Sequence, residues 1–337
     1  MRAIGYLEPQ PISAPSSLVD IELPRPKALG RDILVEVKAV SVNPVDTKVR
    51  ANAKPVDGQH RVLGWDAAGV VVETGPEASL FKPGDEVFYA GAINRPGSDA
   101  EFHLVDERIA ALKPRSLDFA AAAALPLTSI TAYEALFDRL DVTRPVAGAA
   151  NAIVIVGAAG GVGSIAIQLL RALTDLTVIA TASRPETVEW VKARGAHHVI
   201  DHSKAMADQV AALGIGAPAF VFSLTHSDAH AGEIAKLIAP QGRVALIDDP
   251  KSFDIMLFKS KALSLHWEMM FARPVHQTAD VIRQHELLTR VAGLVDAGKV
   301  KSTITDNYGK ISAANLKRAH AQIESGTTLG KIVLAGW

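Results

Sequence analysis

The chain has 337 residues, 48% of them hydrophobic, and its 35 basic and 36 acidic side chains leave a net charge of −1. It exceeds the roughly 250–300 residues at which a single core stops growing, so about two domains are expected. Balanced charge removes any electrostatic case for nucleic acid or an anionic membrane, and the lack of cysteine removes disulfides, thiolate metal sites and thiol nucleophiles.

The opening Met1-Arg2-Ala3-Ile4-Gly5 has no apolar core or cleavage signature, so no signal peptide is read there. The longest apolar candidate, Phe119–Leu125 with its run Ala120–Ala124, stops at Pro126, short of the roughly 18–20 residues a membrane helix needs. A cytoplasmic protein with no membrane partner is expected.

Residues 1–125 read as β-rich. Ile33-Leu34-Val35-Glu36-Val37 and Ala68-Gly69-Val70-Val71-Val72 are short runs with β-branched residues. Lys82-Pro83-Gly84-Asp85 sets Pro and Gly at the centre of a turn in which Gly supplies a positive φ. Glu86-Val87-Phe88-Tyr89 leaves that turn as a strand, and Glu101-Phe102-His103-Leu104-Val105 alternates polar and apolar residues. Short strands at close spacing suggest an irregular barrel.

From about 127 the pattern changes. Ala152-Ile153-Val154-Ile155-Val156 is a continuous apolar run, as in a strand buried on both faces. Gly160 to Leu173 follows with apolar residues at helical spacing. Leu176–Ala180 is the next strand, and Glu186–Arg194 the next helix, ended by Gly195. His198-Val199-Ile200, Ala219–Phe222 and Arg243–Ile247 supply three more strands. This alternation predicts a doubly wound parallel sheet. From about 263 it lapses: an amphipathic helix is expected around Thr278–Ala297 and a terminal strand at Lys331–Leu334. These return to the first domain, so residues 1–125 with 263–337 form one domain and 126–262 an inserted nucleotide-binding domain.

The segment Val156-Gly157-Ala158-Ala159-Gly160-Gly161-Val162-Gly163 joins a buried strand to a helix, the setting in which a glycine pattern signals a dinucleotide. Glycine is needed where φ is positive, where backbone nears a pyrophosphate, and where helix meets strand. Free N–H groups at the helix start then meet phosphate. Ala158, Gly160, Gly161, Val162 and Gly163 are therefore the cofactor-binding candidates, with Ala158 departing from the strict three-glycine form. About 20 residues on, an NAD enzyme carries an acidic residue for the ribose 2′-hydroxyl. Ser183 and Arg184 stand there instead, and a hydroxyl with a guanidinium suits a 2′-phosphate. NADPH is the predicted cofactor.

With Ser41-Val42-Asn43-Pro44-Val45-Asp46, Leu63-Gly64-Trp65-Asp66-Ala67-Ala68-Gly69, Phe81–Asp85, Leu125-Pro126-Leu127-Thr128, the glycine turn and Gly330–Leu334, the chain resembles the medium-chain dehydrogenase/reductase superfamily end to end. The likeness is closest to its zinc-free quinone oxidoreductase branch, in the zinc-type alcohol dehydrogenase-like group. It implies a Rossmann sheet inserted into a GroES-like β-barrel catalytic domain. Where zinc-containing relatives carry Cys, His and Cys, this chain has Asn43, Trp65 and Leu127, so no metal site is expected. The 11 histidines offer no substitute: His197 and His198 would point apart in a strand, and His226 and His230 have helical spacing without an evident third ligand.

Without a Lewis acid to polarise an alcohol, the expected chemistry is hydride delivery to an activated acceptor, a quinone or an α,β-unsaturated carbonyl, held against the nicotinamide. The resemblance places Asn43 and Thr128 at the nicotinamide end as catalytic candidates. Lys48 stands where relatives commonly have Tyr and is a candidate proton donor. His202 takes a position where relatives carry Tyr near the adenosine. Trp65, Tyr89 and Trp267 are the substrate-pocket candidates, the last within Leu265–Phe271 near the expected domain junction. Relatives are commonly homodimers joined through a strand of the nucleotide domain, and Arg243–Ile247 is compatible with that role. The competing readings are a zinc-type alcohol dehydrogenase and a non-catalytic structural or RNA-binding member.

Overall fold

The computed structural model describes residues 1–56 and 58–337. The chain divides into two compact units, one comprising Met1–Ile130 with Phe271–Trp337, the other Thr131–Met270.

The first unit is built around the strand Asp32–Val42, 11 residues long. It pairs antiparallel with Ala67–Thr74, Phe102–Asp106 and Lys331–Ala335. Its length lets it serve different partners along its course, which explains the close strand spacing in the sequence. Ile33, Leu34, Val35, Val37 and Val40 are buried, and each such side chain contributes about 1.5–3 kcal/mol on burial. A smaller sheet pairs Arg2–Tyr6 with Val19–Glu22 and Arg61–Val62. The expected turn at Pro83-Gly84 is present, with Gly84 at φ +94 and Asp85 N–H donating to Lys82 O at 3.1 Å.

The second unit carries a parallel sheet of six strands among the described residues. Their spatial order is His198–Ile200, Thr177–Thr181, Ala150–Val156, Pro218–Ser223, Arg243–Leu246 and Ser264–Trp267. The order reverses beside Ala150–Val156, which creates a crevice at the carboxyl ends of the strands. Helices pack in pairs, Gly161–Leu173 with Pro185–Arg194, and Met206–Ala212 with Ser227–Leu237. Val154, Val156, Ile179, Val221, Ile234, Leu237, Val244 and Phe258 share one core. The architecture is the doubly wound α/β fold that the strand–helix alternation implies.

Three features depart from the sequence reading. The sheet extends past residue 262, because Ser264–Trp267 pairs with Arg243–Leu246. Its mixed burial, exposed at Ser264 and Trp267 and intermediate between, lacks the continuous apolar signature of the inner strands. The helix expected over Thr278–Ala297 is shorter, Arg283–Asp296, and a separate short helix covers Ala272–His276. Finally, the helix begun at Phe119 ends at Ala123, but helical structure resumes at Pro126 and continues to Arg139, and this stretch is mostly buried, as in a core helix. Pro126 opens the segment Pro126–Tyr133, where a missing N–H costs little.

Candidate active site

The glycine turn begins where the strand Ala150–Val156 ends. Gly157 takes φ +78 and donates its N–H to Thr181 Oγ1 at 2.9 Å. A Cβ there would lie 2.7 Å from the Thr225 methyl group, so both backbone and space demand glycine. Ala158 is fully buried, which accounts for an alanine in the expected first glycine position: the positive φ belongs to its neighbour, and its own methyl is packed inside. Gly160 is the N-cap of the helix Gly161–Leu173 and brings no side-chain cap. Gly160, Gly161 and Val162 are half-buried, so the first-turn N–H groups are open to a ligand and carry the positive end of the helix dipole. Gly163 has no room for a side chain, since a Cβ would lie 2.3 Å from Ala158 O and 2.5 Å from its Cα. This cradle fits the pyrophosphate of a dinucleotide.

Ser183 and Arg184 leave the adjacent strand, Thr177–Thr181. Ser183 is exposed. Arg184 precedes the helix Pro185–Arg194, and its Nε lies 3.3 Å from Glu186 Oε1. A carboxylate, that of Glu186, thus stands beside the guanidinium. Both partners are largely exposed, and such a pair is worth about 0–1 kcal/mol, so a phosphate can displace it. His202 is half-buried in the loop after His198–Ile200, and its ring meets His230 edge to face with centroids 6.0 Å apart. Periodicity did not single out Thr181, Thr225, Ser227 or Asp248. Ser227 donates its N–H and hydroxyl to Asp248 at 2.8 and 2.6 Å. The usable signal was position: all lie at or just past carboxyl ends of parallel strands.

The first unit gathers a buried polar network. Lys331 Nζ donates to Val42 O at 2.9 Å, to Asp66 Oδ2 at 3.0 Å, and to Asn43 Oδ1. Asn43 Nδ2 donates to Asp66 Oδ2 at 3.0 Å, and Leu127 N–H donates to Asp66 Oδ1 at 2.8 Å. Asn43 N–H donates to Asp46 Oδ2 at 2.6 Å, capping the helix Pro44–Asn52. Burial is the main force on the acids. It pushes Asp46 up to about 7, against the Asn43 N–H bond and the Lys331 charge. Burial raises Asp66 as well, opposed first by Lys331. Asp99 is held far above the carboxylate range by burial and then by the charge of Asp46.

These contacts correct the expectation for Asn43. Its amide is engaged on both sides within the network and does not face outward as a donor. Thr128 is buried and donates its hydroxyl to Leu125 O at 3.1 Å, the turn-stabilising alternative to a cofactor contact. Lys48 is exposed on the helix Pro44–Asn52. Trp65 and Tyr89 are 0% exposed and present no surface to a small molecule. Trp65 Nε1 donates to Ala92 O at 3.2 Å, its ring meeting Phe271 edge to face, and Tyr89 stacks on His103 with its hydroxyl 3.1 Å from Nδ1. An aromatic core residue and an aromatic pocket residue look alike in sequence, and burial alone separates them here. Trp267, in the second unit, is 55% exposed.

A zinc ion does not fit the positions where the resemblance puts its ligands. Asn43 is tied to Lys331 and Asp66, Trp65 offers only an engaged N–H donor, and Leu127 has no donor atom in its side chain. An ammonium group already sits against Asn43 and Asp66, and no cluster of three metal-ligating side chains exists among the described residues.

Residues 30–114 match the alcohol dehydrogenase GroES-like domain and residues 194–334 the family described as zinc-binding dehydrogenase. The chain is 38% identical over 336 residues to a zinc-type alcohol dehydrogenase-like protein of Staphylococcus aureus, covering 99% of each. It is 31% identical over 314 residues to 2-methylene-furan-3-one reductase of Solanum lycopersicum, covering 90% of this chain and 71% of that one. A crystal structure from Rhizobium etli, described by name as a zinc-dependent alcohol dehydrogenase protein, matches with TM-score 0.99 at 66% identity over 100% of this chain and 98% of that one. The fold and site thus define an oxidoreductase of the nicotinamide-binding kind. The chain belongs to the medium-chain dehydrogenase/reductase superfamily, with a GroES-like part and a Rossmann-like parallel sheet.

Proposed function

We propose that this protein is an NADPH-dependent, metal-free reductase that passes hydride to a quinone or an α,β-unsaturated carbonyl. The observation that carries the reading is the Lys331–Asp66–Asn43 network, which ties up Asn43, one of the three positions where the resemblance puts a zinc ligand. A site without a Lewis acid suits acceptors whose own oxygen delocalises the incoming charge. The S. lycopersicum relative is a reductase whose substrate name describes a methylene conjugated to a ketone, which supports the enone class.

The nicotinamide cofactor supplies the hydride when bound. The chain's own work is positioning. The open N–H groups at Gly161 and Val162 hold the pyrophosphate, and Gly157 and Gly163 let backbone approach it. Ser183 and Arg184 take the ribose 2′-phosphate, Arg184 exchanging Glu186 for the stronger phosphate partner. Glu186 is the specific feature that favours a second reading, NADH, because its carboxylate stands where a 2′-hydroxyl could be gripped. Lys48 and Thr128 remain candidates for the acceptor end.

We also assign a homodimer to this reading. In sequence, Arg243–Ile247 is no more than compatible with a joining strand. In the structure Arg243–Leu246 is paired on both sides and Ser264–Trp267 is the edge. Ile255, Met256, Leu257, Trp267 and Met269 are large exposed apolar side chains of the same unit, and an uncovered edge beside apolar surface favours strand addition.

The test is oxidation of NADPH and NADH, followed by absorbance, with a panel of quinones and enals, before and after chelation. The expected result is turnover with NADPH that chelation leaves unchanged. Turnover confined to alcohols and dependent on one bound zinc per chain overturns the reading.

A further inference from the structure

Two buried carboxyls meet within the second unit. Glu134 begins the π-helical turn Glu134–Arg139, and Glu268 follows the edge strand Ser264–Trp267. Both are buried, and the two groups are hydrogen-bonded to each other. No N–H or O–H of the described residues reaches Glu268 Oε1. Ionised carboxylates only accept, so this contact needs a hydrogen on one of them. Burial holds Glu268 well above the carboxylate range, the charge of Glu134 acts in the same direction, and Arg139 opposes both, its Nε 3.1 Å from Glu268 Oε2. A like-charge pair at such close quarters keeps one proton between its members.

The neighbouring charges do not replace that proton. His266, on the same strand, is held below the usual imidazole range by burial, then by Arg243 and Arg139. Arg243, on the adjacent strand Arg243–Leu246, donates to Leu140 O, Asp141 O and Arg144 O. Arg144 pairs with Asp141 at 3.1 Å. Asp138, half-buried, is the remaining charged side chain of the π-helical turn. Arg139 thus faces two carboxyls with a single positive charge.

Two weakly held elements meet at this contact. In the turn, Leu140 N–H reaches back five residues to Ala135 O at 2.9 Å, a π geometry that is rare and recurs at functional sites. The strand packs on that turn and is paired with the sheet on one side only; just past its end, Glu268 N–H donates to Leu246 O at 2.9 Å. We propose that the proton shared by Glu134 and Glu268 is a latch: it fastens the π-helical turn to the edge strand, and its release to solvent as pH rises opens that seam while the rest of the molecule stays folded. A carboxyl freed by opening titrates in the ordinary range near pH 4 or so. Opening therefore releases one proton, and the open population rises about tenfold for each pH unit.

Hydrogen exchange at pH 6, 7 and 8, read by mass spectrometry, compares the protein with the double variant Glu134→Gln, Glu268→Gln, whose amides can keep a hydrogen bond but do not titrate. The ratio of the two exchange rates cancels the base catalysis of exchange itself. Over residues 134–140 and 264–268 that ratio is expected to rise about tenfold per pH unit. Over the helix Ala313–Glu324 of the first unit it is expected to stay constant. A ratio independent of pH at the seam overturns the latch. So does a rise of equal size throughout the chain, because the proton then leaves only on global unfolding. If the double variant does not fold, Glu134→Gln alone takes its place, with Glu268 still beside Arg139; a pH dependence at the seam no steeper in the protein than in this variant also overturns the proposal.

Discussion

Replacing Lys331 by Met removes the ammonium group from the centre of the first unit while roughly keeping its length. Lys331 is 3% exposed and Asp66 0% exposed, so water cannot take over the lost charge. Three donated hydrogen bonds disappear, and Asp66 keeps Asn43 Nδ2 and Leu127 N–H as partners. Breaking a buried ion pair from one side costs about 3–5 kcal/mol. For a chain of this size, that corresponds to a fall in Tm of about 4–7 °C. The loss has a pH signature. Without Lys331 the Asp66 carboxyl, already raised by burial, rises further and takes up a proton as pH falls. The deficit is therefore largest above the new Asp66 pKa and shrinks below it. Adding Asp66→Asn removes the stranded charge, so the double variant is expected to be more stable than Lys331→Met alone at pH 8. Thermal unfolding of the three variants at pH 5 and pH 8 checks this. A Lys331→Met loss under about 1 kcal/mol, or one equal at both pH values, would refute the assignment of a desolvated ion pair.

Asp46 titrates near 7 in the folded state because of burial, against about 3.9 unfolded. The folded form holds the extra proton between these values, so stability is full below about pH 4 and falls as pH rises through 7; Asp46→Asn is expected to relieve up to about 4 kcal/mol of this at pH 8 and little at pH 4, read from urea unfolding. Gly163→Ala drives a methyl group to 2.3 Å from Ala158 O, backbone that cannot rotate aside, and is expected to cost about 1–3 kcal/mol and at least about tenfold in cofactor affinity. Gly160→Ala meets only Gly157 O at 4.0 Å, so thermal unfolding should show it folding normally. Dialysis against a chelator is expected to leave Tm and NADPH turnover unchanged, and a lowered Tm restored by zinc would contradict the donor-set argument.

The parts of the fold that were legible in sequence are those specified by local chemistry. A turn at Pro83-Gly84 needs only its own residues, and the helix start at Gly160 is announced by the buried strand before it. Long-range pairings were not legible. Lys331 and Asp66 lie 265 positions apart, and nothing near either residue names the other. Residue type alone did not show that the Asn43 amide points into a network. The edge strand Ser264–Trp267 escaped because half-exposed strands lose the apolar run that marks their inner neighbours. His226 and His230 were noticed for their helical spacing; His202, which His230 faces, comes from a loop that spacing within one helix cannot reveal.

The placement of Lys331 also orders events during synthesis. The second unit is one continuous stretch, Thr131–Met270, and its sheet can close while later residues are still being made. The first unit cannot close so early. Its longest strand, Asp32–Val42, waits for Lys331–Ala335 along one edge, and until Lys331 leaves the ribosome Asp66 has no cation to balance it. A nascent chain paused before residue 331 would thus carry a finished nucleotide-binding unit beside an unsealed barrel, making the final strand the step that commits the barrel to its fold.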